Sequence, residues 1–397
     1  MTAGPLIVWL VLAAAGHAAM WIALLNRLHA LGAPRWVLKL AGWLLHATMG
    51  LTAVGLAWPI ARAWTGGGPL AAWEALTWPA RLYLLACGLL AVCPLPWRLW
   101  TIRRQRPPAA LLANHGTTLD ICARLPRFPG GNTIDRMLLR LPGNECLRLE
   151  VNEKTLLLER LDPALSGLRI AHLSDLHFSG RIDRPYFEEV VDAVNGLGAD
   201  IVALTGDLVD KARCIDWIPE TLGRLSARHG AFYVLGNHDR RVNVARLTAA
   251  LGAAGLARLG RRELAIGGCR LTLTGNELPW FPLDPAVELS YGAGDGSEAA
   301  SETGLRILLS HSPDQFAWAR RRGFDLMLAG HTHGGQIRLP LVGPLLAPSL
   351  HGVKYASGTF HEGPTVLHVS RGLSCLHTLR WNCPPELALL VLKANDG

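Results

Sequence analysis

The chain has 397 residues, half of them apolar, and a formal net charge of +8; that length allows two or three structural units, and the apolar share is high for a protein lying wholly in water. The first hundred residues hold ten of the fourteen tryptophans and carry +5 of the charge, leaving only +3 over the remainder. So nearly balanced a remainder lacks the concentrated basic surface that nucleic acid requires, which argues against that class of partner.

Three apolar stretches come first in chain order, about Pro5–Leu25, Trp36–Trp58 and Leu70–Leu95, and make residues 1–100 a transmembrane region of about three helices. Each is long enough to cross about 30 Å of hydrocarbon at 1.5 Å per residue. Glu74 and Arg81 fall in the first half of the third stretch, so its core is Leu82–Leu95. Trp9, Trp21, Trp36, Trp58, Trp64, Trp97 and Trp100 lie near stretch ends, where an interfacial aromatic belt is expected. No basic residue precedes the first apolar run, which therefore reads as a retained anchor rather than a cleaved signal. Basic residues follow the first stretch (Arg27, Arg35, Lys39) and the third (Arg98, Arg103, Arg104, Arg106). Three crossings with these segments on the positive side give a multi-pass inner-membrane protein whose C-terminal part faces the cytoplasm; two crossings would place that part opposite.

Residues 101–167 read as a connector punctuated by Pro126, Pro129, Gly130, Gly131, Pro142 and Gly143, with a β-hairpin of Leu147–Val151 and Leu156–Leu158 turning at Asn152–Lys154. From 168 to 397 short apolar runs alternate with helical periodicity. Strands are predicted at Leu168–Leu173, Asp200–Leu204, Ala231–Leu235, Cys269–Thr274, Leu305–Leu309, Leu326–Ala329, Val366–Val369 and Leu387–Leu392, and helices at Tyr186–Leu197, Ile215–Leu225, Val244–Leu251 and Pro313–Arg322. This is an α/β pattern around a largely buried sheet. The Pro-, Gly-, Ser- and Glu-rich segment 279–304, opening on Trp280-Phe281, reads as a surface loop, or else as a cover over a site or against lipid. Eight cysteines show no paired metal spacing and read as thiols.

Five predicted strands end in residue types that ligate metals. They are Asp175 with His177, then Asp207, then Asn237-His238-Asp239, then His311, then His331 with His333. Ligands of open α/β sheets bind outside the carboxyl ends of strands, and an Asp-x-His or His-x-His step in a strand turns both side chains to one face. Singly, each is commoner as a turn former, a helix cap or a satisfied imidazole; five successive strand ends, three with a glycine alongside, outweigh that. Carboxylates with neutral imidazoles suit a pair of borderline divalent cations about 3.5–4 Å apart. His172, His229, His351, His361, His368 and His377 have no such company and read as structural.

The order Asp175-Leu176-His177, Gly206-Asp207, Gly236-Asn237-His238-Asp239, His311 and Gly330-His331-Thr332-His333 resembles the signature of the calcineurin-like metallophosphoesterases over about residues 145–393. Gly330–Gln336, Ser370-Arg371-Gly372-Leu373 and Asn382-Cys383-Pro384-Pro385-Glu386 are similar to its membrane-associated bacterial branch, which includes UDP-2,3-diacylglucosamine pyrophosphatases. The resemblance implies an α/β metallophosphoesterase fold, a two-sheet sandwich flanked by helices. It implies two divalent metal ions (manganese, or iron or zinc), one on Asp175, His177, Asp207 and His333 and the other on Asp207, Asn237, His311 and His331. It implies His238 beside the phosphate with Asp239 orienting it. The activity expected is hydrolysis of a phosphodiester or pyrophosphate, on a lipid-linked substrate such as UDP-2,3-diacylglucosamine. The alternatives are a phosphodiesterase or phosphatase on nucleotides or other phospholipids, or a non-catalytic membrane scaffold.

Overall fold

The computed structural model describes residues 3–93, 108–291, 304–340, 342–375 and 377–395. Trp97, Trp100, Arg98, Arg103, Arg104 and Arg106, the end of the third apolar stretch, and 292–303 of the segment 279–304 lie outside the described residues. The chain divides into two compact units, residues 1–106 with 340–352, and 107–339 with 353–397.

The first unit is built on helices α1 (Ala3–His29), α2 (Arg35–Glu74) and α3 (Trp78–Val92). The second and third predicted stretches are redivided: α2 runs on through Leu70 to Glu74, bending at Gly68 (φ 75°) just before Pro69. Among the described residues, α1 and α2 are the helices long and apolar enough to cross a membrane; α3 has fifteen residues. Along α2, Trp43 and Leu51 are 76 % and 73 % exposed, as expected of side chains that face lipid rather than water. Small residues bring α1 and α3 together: a Cβ on Gly16 would strike the Cys87 carbonyl and one on Gly88 the Trp9 ring. Trp9 and Trp21 therefore pack within the helices instead of joining an interfacial belt, Trp21 being buried. Residues 340–352 belong to this unit through Asn26 of α1, whose Nδ2 donates to the Leu345 carbonyl (3.0 Å) and whose Oδ1 accepts from Ala347 N–H (3.0 Å).

The second unit contains two sheets. The larger uses β1 (Leu111–Asp120), β2 (Arg148–Leu158), β3 (Arg169–Leu173), β4 (Ile201–Thr205), β5 (Ala231–Val234), β6 (Leu256–Arg258) and the last strand, β13 (Glu386–Ala394), in the order β1-β2-β13-β3-β4-β5-β6. The other uses β7 (Arg261–Ile266), β8 (Cys269–Asn276), β9 (Leu305–Ser310), β10 (Leu326–Ala329), β11 (Gly358–Glu362) and β12 (Thr365–Val369), in the order β11-β12-β10-β9-β8-β7. Strands β3 to β6 are mutually parallel, as are β8, β9, β10 and β12.

Alternation along the strands sorts the core into layers. Ile170, Ile201, Ala203, Phe232 and Val234 pack with Leu271, Ile307, Leu309 and Leu326 between the sheets. Ala171, Val202, Leu204 and Tyr233 face the helix Arg184–Gly196, and Leu308, Met327 and Leu367 face the helix Phe316–Arg321. The predicted sandwich flanked by helices is the observed fold.

Two local expectations are corrected. In place of a hairpin in Leu147–Leu158, Arg148–Leu158 is one continuous strand; it pairs along its length with β1 and β13, so the supposed connector contributes two strands to the larger sheet. Ile215–Leu225 is not an α-helix but lies across 3-10 turns at Ala212–Trp217 and Leu222–Arg224.

Between the sheets lies a buried polar ladder. Lys154 Nζ meets Glu386 Oε1 (2.6 Å) and donates to His368 Nε2 (2.9 Å), His368 Nδ1 meets His172 Nδ1 (2.9 Å), and His172 Nε2 meets Thr205 Oγ1 (2.9 Å). His172 and His368 are thus satisfied core residues. Lys154→Met leaves Glu386 as a buried, undercompensated charge and should destabilise the chain by about 3–5 kcal/mol, read as a lowered denaturation midpoint of the solubilised protein.

Candidate active site

Strands β3, β4, β5, β9 and β10 end at Leu173, Thr205, Val234, Ser310 and Ala329, and all seven predicted ligand residues follow directly. Asp175, His177 and His333 bring donor atoms within 4.8 Å of one another, as do Asp207, His311 and His331. Asn237 joins the second group, its Oδ1 3.1 Å from His311 Nε2. Asp207 faces both groups: its Oδ2 is 3.3 Å from His311 Nε2 and 3.7 Å from His177 Nε2. Every one of these side chains except that of Asn237 is buried.

The side chains do not converge by strand alternation, because they sit beyond the strand ends. Convergence comes from backbone strain. Seven non-glycine residues among those described have positive φ, and five of them are Asp175 (53°), His177 (45°), Asp207 (54°), His331 (71°) and His333 (50°). Such conformations cost on the order of 1–3 kcal/mol each and cluster at functional sites. Two flanking glycines are needed for close approach: a Cβ on Gly236 would strike the Asp207 carboxylate, and one on Gly330 the Ser174 hydroxyl.

The electrostatics suit cations. Burial pushes the Asp207 carboxyl up, but the imidazoles of His311, His238 and His177 outweigh it and hold it well below the usual range. Burial likewise favours neutral His177 and His311, yet Asp210 beside the first and Asp207 beside the second raise both to about 9. His331 and His333 are held well below the usual imidazole value, by burial first and then by His311 and His177 respectively. Ring nitrogens meet head-on, His177 Nε2 to His333 Nε2 at 3.0 Å and His331 Nδ1 to His311 Nε2 at 3.1 Å, while His331 Nε2 is buried without a hydrogen-bond partner. His177 and His311 thus share a proton with the neutral rings facing them, and a cation taking the place of that proton would meet a mixture of carboxylate, imidazole and amide donors that fits borderline divalent ions.

Asp239 is not placed to orient His238. Its Oδ1 accepts from the N–H groups of Leu208 (2.9 Å) and Val209 (3.0 Å), and its Oδ2 from that of Gly236 (2.8 Å), bracing the turn that carries Asp207. Asp210 takes the orienting position: its Oδ1 lies 2.8 Å from His238 Nδ1 and 3.0 Å from His177 Nδ1. Arg241 donates to His238 Nε2 (2.8 Å). Trp280 is buried and lies across His331, with ring centroids 4.7 Å apart, so the start of 279–304 walls the site. Asp210 and Arg241 follow familiar motif residues at short spacing, but nothing in the sequence distinguishes them from ordinary turn charges. Asp210→Asn removes the negative charge shared by two imidazoles and should lower turnover of a chromogenic phosphodiester by roughly 10–100-fold, with the melting midpoint little changed.

A two-sheet sandwich with this donor ring at its strand ends defines a metal-dependent phosphoester hydrolase. Residues 168–335 match the family model of the calcineurin-like phosphoesterases. Phosphodiesterase YaeI of Escherichia coli (strain K12) is 31 % identical over 229 residues, covering 56 % of this chain and 82 % of that one. The uncharacterized metallophosphoesterase YkuE of Bacillus subtilis (strain 168) is 29 % identical over 258 residues, 62 % and 87 % of the two chains. UDP-2,3-diacylglucosamine pyrophosphatase LpxG of Chlamydia trachomatis is 27 % identical over 277 residues, 57 % and 84 %. The chain belongs to the calcineurin-like phosphoesterase family.

Proposed function

We propose that this metallophosphoesterase is a membrane-anchored, dinuclear hydrolase of a phosphodiester or pyrophosphate carried by a lipid. The observation that carries the hydrolase reading is the gathering of seven donors from five strand ends, five of them in strained backbone. Asp175, His177, Asp207 and His333 would hold one ion, and Asp207, Asn237, His311 and His331 the other, with Asp207 common to both sets. When bound, such a pair neutralises phosphoryl oxygens and acidifies a water nucleophile. Manganese is the first metal to supply, with iron and zinc as alternatives the donor set equally accepts.

The protein's own groups do the rest. Asp207 Oδ1 accepts from His238 N–H (2.7 Å), which fixes both residues. His238 keeps its Nδ1 proton on Asp210, which leaves Nε2 to take up a proton from water once Arg241 withdraws and to pass it to the leaving oxygen as general acid. Arg241 covers that nitrogen; its guanidinium, about a third exposed, swings onto the phosphate when substrate enters.

The apolar helices α1 and α2 support a lipid substrate, since they keep the hydrolase at a membrane. The pyrophosphatase among the relatives makes UDP-2,3-diacylglucosamine the specific compound to try first. Under this reading a third crossing that begins in α3 brings the hydrolase to the cytoplasmic face, whereas crossings by α1 and α2 alone would leave it on the opposite one; a reporter fused to the C-terminus decides between them. Purified protein with manganese is expected to release UMP and a lipid monophosphate from that compound. Cleavage of water-soluble diesters alone in the same panel would remove the lipid assignment and leave the phosphodiesterase.

A further inference from the structure

Three buried cysteines, Cys146, Cys375 and Cys383, surround the buried Arg380. Their surroundings differ. Cys383 Sγ donates to the carbonyl oxygens of His333 (3.4 Å) and Gly334 (3.5 Å), so its thiol is committed to backbone. Cys146 and Cys375 instead face each other with sulfurs 2.6 Å apart, closer than two non-bonded sulfurs pack.

The segments carrying this pair are already joined. Asn144 Nδ2 donates to the Thr378 carbonyl (2.8 Å), Arg380 N–H to Asn144 Oδ1 (3.1 Å), and Glu145 N–H to the Arg380 carbonyl (3.0 Å). Closing a sulfur–sulfur bond across such a frame needs side-chain adjustment and little backbone movement. Arg380 Nε lies 3.3 Å from Cys375 Sγ, and no carboxylate is among the partners of the guanidinium in the described residues. That leaves a Cys375 thiolate as its counter-charge. Burial opposes the thiolate, but the Cys146 hydrogen bond and Arg380 bring Cys375 down to about 7. A fixed guanidinium among the three sulfurs is also incompatible with a thiolate-bound metal there.

We propose that Cys146 and Cys375 are a redox pair that closes to an intramolecular disulfide on exposure to a peroxide. The Cys375 thiolate attacks one peroxide oxygen, the O–O bond breaks, and the departing hydroxide takes up a proton as water. The Cys146 sulfur then attacks the resulting sulfenic acid, the S–O bond breaks, its thiol proton goes to the departing hydroxide, and a second water leaves. Two thiols and one hydrogen peroxide become one disulfide and two waters. The bond ties the turn before β2 to the segment 375–383, whose Arg380 donates to the His333 carbonyl (3.4 Å). It therefore locks the backbone behind one of the site histidines.

The test uses the full-length, solubilised protein, reduced, treated with hydrogen peroxide, quenched, denatured and alkylated. Two fewer thiols should be alkylated than in the reduced control. Proteolytic fragments holding Cys146 and Cys375 should be joined with the loss of two hydrogens. The melting midpoint should rise by roughly 5–10 °C. Cys146→Ser should abolish both the linkage and the rise, and fragment mapping on the unsubstituted chain reads the linkage whether or not that variant folds. An unchanged thiol count, a linkage between other cysteines, or oxidation of Cys375 to sulfinic acid without linkage would overturn the proposal.

Discussion

Asp207→Ala should cut turnover of a phosphodiester by at least about 10³-fold, the largest loss expected of any single substitution here. One carboxylate serves both halves of the site: its Oδ2 faces His311 and His177 from opposite groups, and its Oδ1 holds the turn that presents His238. Its removal takes away the larger of the two carboxylate charges that raise His311, leaving Asp175, and part of the charge that raises His177. The deficit should appear in kcat and in the amount of metal retained after desalting, with the sandwich still folded, since the core between the sheets is untouched. A variant that kept a tenth of the activity would show that Asp207 is not shared between two ions.

The second large effect is the pH dependence of metal uptake. In the metal-free protein His177 and His311 hold their protons up to about pH 9, whereas a ligating imidazole must be neutral. Each ion that binds therefore displaces about one proton from its histidine. Because these values lie above the ordinary imidazole value, lowering the pH favours the protonated, metal-free form, and affinity falls as pH falls. From pH 8 to pH 6 the loss approaches 100-fold for each ion, tenfold per unit and per proton displaced. Calorimetric titration of manganese in buffers of different ionisation enthalpy measures the proton count directly. An affinity independent of pH over that window would mean that neither histidine changes protonation on binding.

Much of the site was legible because its donors are ionisable residues fixed to strand ends, and an α/β pattern announces where strands end. Asp175, His177, Asp207, Asn237, His311, His331 and His333 could all be named as candidates from their places after predicted strands, and the family resemblance set them apart from His238 and Asp239. The means of convergence was not legible: left-handed backbone at Asp175 or His333 is a tertiary constraint that neither residue type advertises. Asp210 and Arg241 escaped for a related reason, since a charged residue in a turn reads the same whether it faces water or an imidazole. The Asp239 expectation failed because its carboxylate is occupied by three backbone N–H groups, a demand set by the fold of the turn rather than by the neighbouring His238. In the fold, β1 and the length of β2 were hidden because β1 is an exposed edge strand of mixed polarity, Leu-Leu-Ala-Asn-His-Gly-Thr-Thr-Leu-Asp, without a clean two-residue period. Strand β2 buries Asn152 and Lys154 where apolar side chains were expected, and those two residues mimic a turn.

Asn26 gives the anchor a further meaning. The stretch 340–352 begins only seven residues after His333 and is fastened to α1 by a side-chain amide that satisfies two backbone groups at once. A fragment trimmed to start after the helices would leave that stretch without its bed, with the Leu345 carbonyl and the Ala347 N–H deprived of the Asn26 amide, beside Leu346 and Leu350, which are already exposed. The N-terminal helices are thus no removable leash: whoever wishes to handle the hydrolase in water must shorten or rewrite 340–352 along with them.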